Sequence, residues 1–220
     1  MSLTQPTAAS HPGRGVRRRL PAAVAAIGLM GLLVLGAGAP AEASGPAPTP
    51  ADAAFEQSFM REMIMHHHMA VMMSQVCIER TDIRPALQEM CQSIVDDQDA
   101  EIMSMQAWLL DWYDVNYDPM AAMTPEEMAE MMDMANEMRA MSPADFERAF
   151  LKEMIGHHRA ALAPAKDCEK NAAHGELRRL CRGIVKSQTM EIRIMHRWLC
   201  NWYGKCPAVV APEPQPAIAA

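Results

Sequence analysis

From Phe55 onward the apolar residues recur at steps of three and four. Phe55, Phe59, Met63, Ala70, Met73 and Cys77 form one series, and His66 stands where its next apolar member is due. Such spacing puts side chains on one face and predicts an amphipathic helix from Ala53 to about Glu79, which Asp52 can cap. Thr81, Asp82 and Pro85 mark a turn and the first turn of a second helix. On that helix Cys91, Ile94, Gln98, Glu101, Met105, Trp108 and Trp112 keep the same spacing without a break, so the two segments form an antiparallel helical hairpin. Ser142 and Pro143 open a third helix towards Asn171, with Pro164 as its expected kink. A turn near His174 and Gly175 leads to a fourth helix ending around Tyr203.

The second hairpin repeats the first. Phe55, Phe59, Glu62, Met63, Ile64, His66, His67 and Ala70 return as Phe146, Phe150, Glu153, Met154, Ile155, His157, His158 and Ala161. After the turn, Ile94, Gln98, Glu101, Met105, Trp108, Trp112 and Tyr113 return as Ile184, Gln188, Glu191, Met195, Trp198, Trp202 and Tyr203. The offset is 91 residues up to the first Cys of each copy and 90 from the second onward, so one residue is missing from the second turn. Two related hairpins predict an all-α fold, a four-helix bundle with pseudo-two-fold symmetry. The duplicated domain spans 53–206, with repeats 55–113 and 146–203 around a linker, 114–142, that has no counterpart. In that linker Asp118-Pro119 reads as a turn, Thr124-Pro125 as a helix start, and 128–141 as a short helix.

Outside the repeats the chain reads as accessory. Residues 1–43 have the form of an export signal, with Arg14, Arg17, Arg18 and Arg19 before the apolar run Leu20–Leu35 and the small-residue site Ala41-Glu42-Ala43. If it is left uncleaved, the run is also about the length of a membrane anchor, roughly 20 residues; a membrane is expected only in that case. A Pro-rich linker, 44–52, follows, and a Pro-rich tail, 207–220, is expected to be disordered. Without residues 1–43 the chain has 16 basic and 26 acidic residues, a net charge of −10, which argues against nucleic acid and for attraction of cations. An exported chain is periplasmic, cell-surface or secreted, and it meets oxidising conditions in which paired Cys persist as disulfides. The repeat places Cys77 and Cys91, and likewise Cys168 and Cys181, on either side of equivalent turns, leaving Cys200 and Cys206 for each other. Reduced buried Cys, or a thiolate metal site, is the alternative.

The chemistry lies in the polar residues that interrupt the apolar stripes. His66, with Glu62 one turn before it, and Gln98, Glu101 and Met105 lie on faces directed at the bundle axis, as do Glu153, His157, Gln188, Glu191 and Met195 in the second copy. Burying these groups without partners costs several kcal/mol each, so they are expected to meet one another or an ion. His67 and His158 lie about 100° further round their helices and are candidates for contacts between helices or for supporting a ligand. The 22 Met exceed what a core needs. Eight are in the linker, where Met131 and Met132 are adjacent and cannot share a face. Imidazole with thioether points to copper, Cu(I) above all, while the carboxylates also admit zinc or iron.

The motif Phe-x3-Phe-x3-Met-Ile-x-His-His-x2-Ala, followed by Ile-x3-Gln-x2-Glu-Ile-x2-Met-x2-Trp-Leu, resembles the family called domain of unknown function 305 (DUF305). Its members are similar to ferritin-like four-helix proteins and include CopM-type copper-binding proteins. The resemblance implies a ferritin-like bundle and a metal-binding role for Met63, His66, His67, Gln98, Glu101 and Met105, and for Met154, His157, His158, Gln188, Glu191 and Met195. Glu62, Glu153, Met128, Met131, Met132, Met134 and Met138 are secondary candidates. The second copy departs from the first at Arg159, opposite His68, and at Ala163-Pro164, opposite Met72-Met73, which leaves equal metal binding by the two halves open. The expected function is an exported copper-binding protein that buffers, sequesters or delivers the metal to an accepting protein, without turnover. Two alternatives stand beside it: a ferritin-like di-metal oxidase using Glu62, Glu101, Glu153 and Glu191, and a disulfide-braced interaction module without metal.

Overall fold

The computed structural model describes residues 49–206; the export segment, most of the Pro-rich linker and the tail lie outside the described residues. Four long helices carry the fold: α1 (Pro50–Glu79), α2 (Pro85–Tyr113), α5 (Pro143–Asn171) and α6 (Gly175–Tyr203). Between the hairpins the linker forms two shorter ones, α3 (Pro119–Ala122) and α4 (Pro125–Ala140). Helix α1 starts earlier than the apolar pattern indicates. Thr49 is its N-cap, Pro50 fills the first turn, and Asp52 closes a capping box with Thr49 instead of capping the helix itself. Helix α5 continues through Pro164 to Asn171. Both second helices end in a left-handed residue, Asp114 after α2 and Gly204 after α6. Among the described residues no helix is long and apolar enough to cross a membrane.

The three disulfides are Cys77–Cys91, Cys168–Cys181 and Cys200–Cys206, the pairing expected from the repeat. Helix α1 packs on α2, α5 on α6, and the hairpins meet through α1 and α5. Helix α1 also supports α3 and α4. It therefore buries two adjacent stripes, one through Phe59, Met63, Ala70 and Met73, the other through Met60, Ile64, His67, Val71 and Ser74.

The core divides into two apolar halves. One takes the C-terminal part of α1, the N-terminal parts of α2 and α5 and the end of α6, with Phe146, Phe150 and Leu87 among its buried members. The other takes the opposite ends of the same helices, with Phe59, Leu109 and Leu177. The halves exchange under the duplication, so the pseudo-two-fold axis passes between them, through the layer where the stripes turn polar.

The same symmetry fixes the two ends of the bundle. Buried Glu56 of α1 accepts from the backbone N–H of His174, the N-cap of α6, at 2.8 Å, and it also receives the Tyr113 hydroxyl. Buried Glu147 of α5 accepts from the backbone N–H of Arg84, the N-cap of α2, at 2.7 Å, and it receives the Tyr203 hydroxyl. Each hairpin thus supplies the carboxylate that caps the other hairpin's second helix. Trp112 stacks on His174 with ring centroids 3.8 Å apart, and the Arg84 guanidinium lies over Trp202 at 4.6 Å.

Candidate metal centre

Between the apolar halves lie eight polar side chains, four from each repeat. Helix α1 contributes His66 and His67, α2 contributes Gln98 and Glu101, α5 contributes His157 and His158, and α6 contributes Gln188 and Glu191. His67 and His158 are fully buried and the two Gln nearly so, whereas His66 and His157 are half-buried. His66 and His157 face one another across the axis with ring centroids 3.6 Å apart and planes tilted by 34°.

Each buried imidazole is held by a carboxylate of the neighbouring helix. His67 Nε2 lies 2.7 Å from Glu101 Oε2, and His158 Nε2 lies 2.5 Å from Glu191 Oε2. With Nε2 engaged, the Nδ1 atoms of His67 and His158 have no hydrogen-bond partner. Neither do both ring nitrogens of His66, Nδ1 of His157 and both amide atoms of Gln98 and Gln188. Orphaned polar atoms in such number are costly in a protein interior and are seldom retained without a reason. An imidazole anchored through one nitrogen to a carboxylate, with the other free, is the arrangement by which proteins fix a metal-ligating His in one tautomer. The residue types are those that hold a metal ion, with imidazole nitrogens as the free donors and the two carboxylates as their orienting partners, although among the described residues no three His, Cys, Asp or Glu side chains stand close enough to hold one as they are placed.

Electrostatics keep the central pair neutral. The His66 pKa is lowered to about 4, first by burial and then by the neighbouring His67 and His158. That of His157 is lowered to about 3, first by burial and then by His66, His158 and His67. Neutral imidazole is the form that binds metal.

Not every residue singled out in the sequence joins this layer. Met63, Met105, Met154 and Met195 are buried in the adjoining apolar clusters. Glu62 and Glu153 are exposed, and Glu62 accepts from the Ser58 hydroxyl one turn away. The buried layer thus holds two carboxylates where four were expected to converge. The more deeply buried residue of each His-His pair is the second, His67 or His158, while the first, His66 or His157, meets its counterpart across the axis. This follows from the second buried stripe of α1, which the single series through His66 conceals. Of the linker methionines, Met131 and Met138 are buried, Met128 and Met134 half-buried, and Met132 exposed. The paired carboxylates Glu56 and Glu147 went unread in the sequence, although each directly follows a matched Phe of the repeat.

Fold and layer together define a class: a duplicated helical-hairpin protein whose mid-plane carries a symmetric set of histidine, glutamine and glutamate side chains. The family model described as "Domain of unknown function (DUF305)" matches residues 56–199, and the chain belongs to that family. Among solved structures it is similar to CopM in the Cu(I)-bound form, at 28% identity and TM-score 0.57, over 68% of this chain and 98% of that one. CopM in the Cu(II)-bound form gives 30% identity and TM-score 0.58, over 67% and 97%. A DUF305 fragment from Deinococcus radiodurans gives 28% and 0.57, over 70% and 98%. No curated protein matches.

Proposed function

We propose that this protein is an exported copper-binding protein that buffers, sequesters or delivers copper through its buried histidine layer. The observation that carries the reading is the pair of anchored imidazoles, His67 on Glu101 and His158 on Glu191, each with a free Nδ1, flanking the His66–His157 contact. Solved structures of CopM with Cu(I), Cu(II) and silver, at 28–30% identity, support copper as the cargo. Three disulfides suit an oxidising compartment, and a similar DUF305 protein of Streptomyces coelicolor is described as a predicted secreted protein. The exposure of Glu62 and Glu153 weighs against the oxidase reading, which needs their carboxylates beside the histidines.

In this reading Glu101 and Glu191 hold the imidazoles in position, His66, His67, His157 and His158 offer nitrogen, and the apolar halves exclude water. Metal analysis of protein purified without added copper, then anaerobic Cu(I) titration against a competing chelator, tests it. His67→Ala with His158→Ala should abolish the tightest site, and Glu101→Gln with Glu191→Gln should weaken it by about 10–100-fold. If the layer is only a structural network, the His variant will lose stability in metal-free buffer and keep its copper affinity. Copper should also raise the unfolding temperature of the wild type and not that of the His variant.

A further inference from the structure

Where the linker folds over the outer side of α1, five methionines come together. Met65 and Met69 of α1, Met123 after α3, and Met131 and Met134 of α4 line a cleft of about 420 Å³. Its remaining lining is Tyr117, Ala122, Glu127 and Glu130, so no Leu, Ile, Val or Phe contributes. Beside it, His68 Nε2 lies 3.0 Å from Met120 Sδ, two soft donors 52 residues apart in sequence. Packing alone does not select this composition, because aliphatic side chains would fill a half-exposed cleft as well and with less loss of rotamer freedom.

The duplication supplies an internal control. Met65, His68 and Met69 correspond to Gly156, Arg159 and Ala160 in the second hairpin. The described linker helices pack on α1. At these three positions sulfur and imidazole are thus present on the copy of the helix that the linker covers, and absent from its counterpart. Thioethers are soft, uncharged donors that suit Cu(I) and Ag(I) and bind Zn(II) poorly. Carboxylates in the lining, Glu127 and Glu130, favour a cation.

We propose that this cleft is a second, soft-metal site for monovalent Cu(I) or Ag(I), built by the linker and separate from the histidine layer. Ag(I) is the probe, since it has no accessible redox change, and the full chain is titrated against a competing ligand with Zn(II) in parallel. The variant Met65→Leu, Met69→Leu, Met123→Leu, Met131→Leu and Met134→Leu preserves volume and apolarity. It should bind about one Ag(I) ion fewer than wild type, while His67→Ala with His158→Ala should keep that ion. A folded five-Leu variant with unchanged Ag(I) stoichiometry overturns the proposal. Should that variant not fold, the wild type labelled at its Met methyl carbons gives the answer: Ag(I), but not Zn(II), should shift the methyl signals of the five cleft methionines. Unmoved cleft signals overturn it equally. Failure of the histidine reading shows separately, as unchanged copper binding in the His variant.

Discussion

His66 and His157 set a condition on stability as well as on binding. The folded protein holds them neutral down to about pH 4 and about pH 3, whereas in the unfolded chain they titrate near the ordinary value of 6.5. As pH falls below 6.5 the unfolded chain takes up protons that the folded chain refuses, so unfolding gains. The contribution is fully present above about 6.5 and is lost as pH drops from there towards 4 and then 3. Each unit of difference corresponds to about 1.4 kcal/mol, so the metal-free protein should lose a few kcal/mol across this window. His67 and His158, each held by a carboxylate, Glu101 or Glu191, lie beside the pair, so the comparison needs a control variant. Urea unfolding at about pH 7 and about pH 4.5 should show a much smaller difference for His66→Gln with His157→Gln than for wild type. Equal differences would mean that the pair is already solvated in the folded state.

At the scale of elements, the bundle is held by exchange between hairpins. Each hairpin is closed by its own disulfide, yet the caps of α2 and α6 come from the opposite hairpin, through Glu147 and Glu56. Removing either carboxylate strands an N-cap N–H and a Tyr hydroxyl, and takes a buried negative charge from beside Arg84 or His174. Glu56→Ala and Glu147→Ala should each cost about 3 kcal/mol, more than a surface ion pair could account for. The two sites are at opposite ends, so the losses should add within about 0.5 kcal/mol. Thermal or urea unfolding of both single variants and the double variant checks this, and a loss below about 1 kcal/mol would assign the capping to water. Copper affinity should not change, because neither carboxylate belongs to the histidine layer.

Across the whole molecule, much of the architecture was legible in the sequence because duplication states each relation twice. The four helices, the two hairpins and the three Cys pairs follow from the spacing and the 91- or 90-residue offset. The division of the core by a polar layer follows too, since the polar interruptions fall at matching places in all four stripes. Three things were not legible. The orientation of the His-His pairs depends on α1 packing against four other elements, which gives it two buried stripes where a periodicity search reports one. The Glu56 and Glu147 clasps join residues 118 and 63 positions apart, from Glu56 to His174 and from Arg84 to Glu147, and no local pattern encodes such pairings. The converging linker methionines depend in the same way on where α3 and α4 dock.

Whether the histidine layer takes the metal is read most directly from the ring nitrogens themselves. Long-range proton–nitrogen spectra of the histidine side chains, recorded on metal-free protein and after addition of Ag(I) as a redox-inert stand-in for Cu(I), report each Nδ1 and Nε2 separately. On binding, Nδ1 of His67 and His158 should shift to metal-bound values, while their Nε2 atoms stay protonated against Glu101 and Glu191. Imidazole signals of His66, His67, His157 and His158 that remain unchanged under saturating Ag(I) would contradict a metal centre at the mid-plane and leave the layer as a structural polar network.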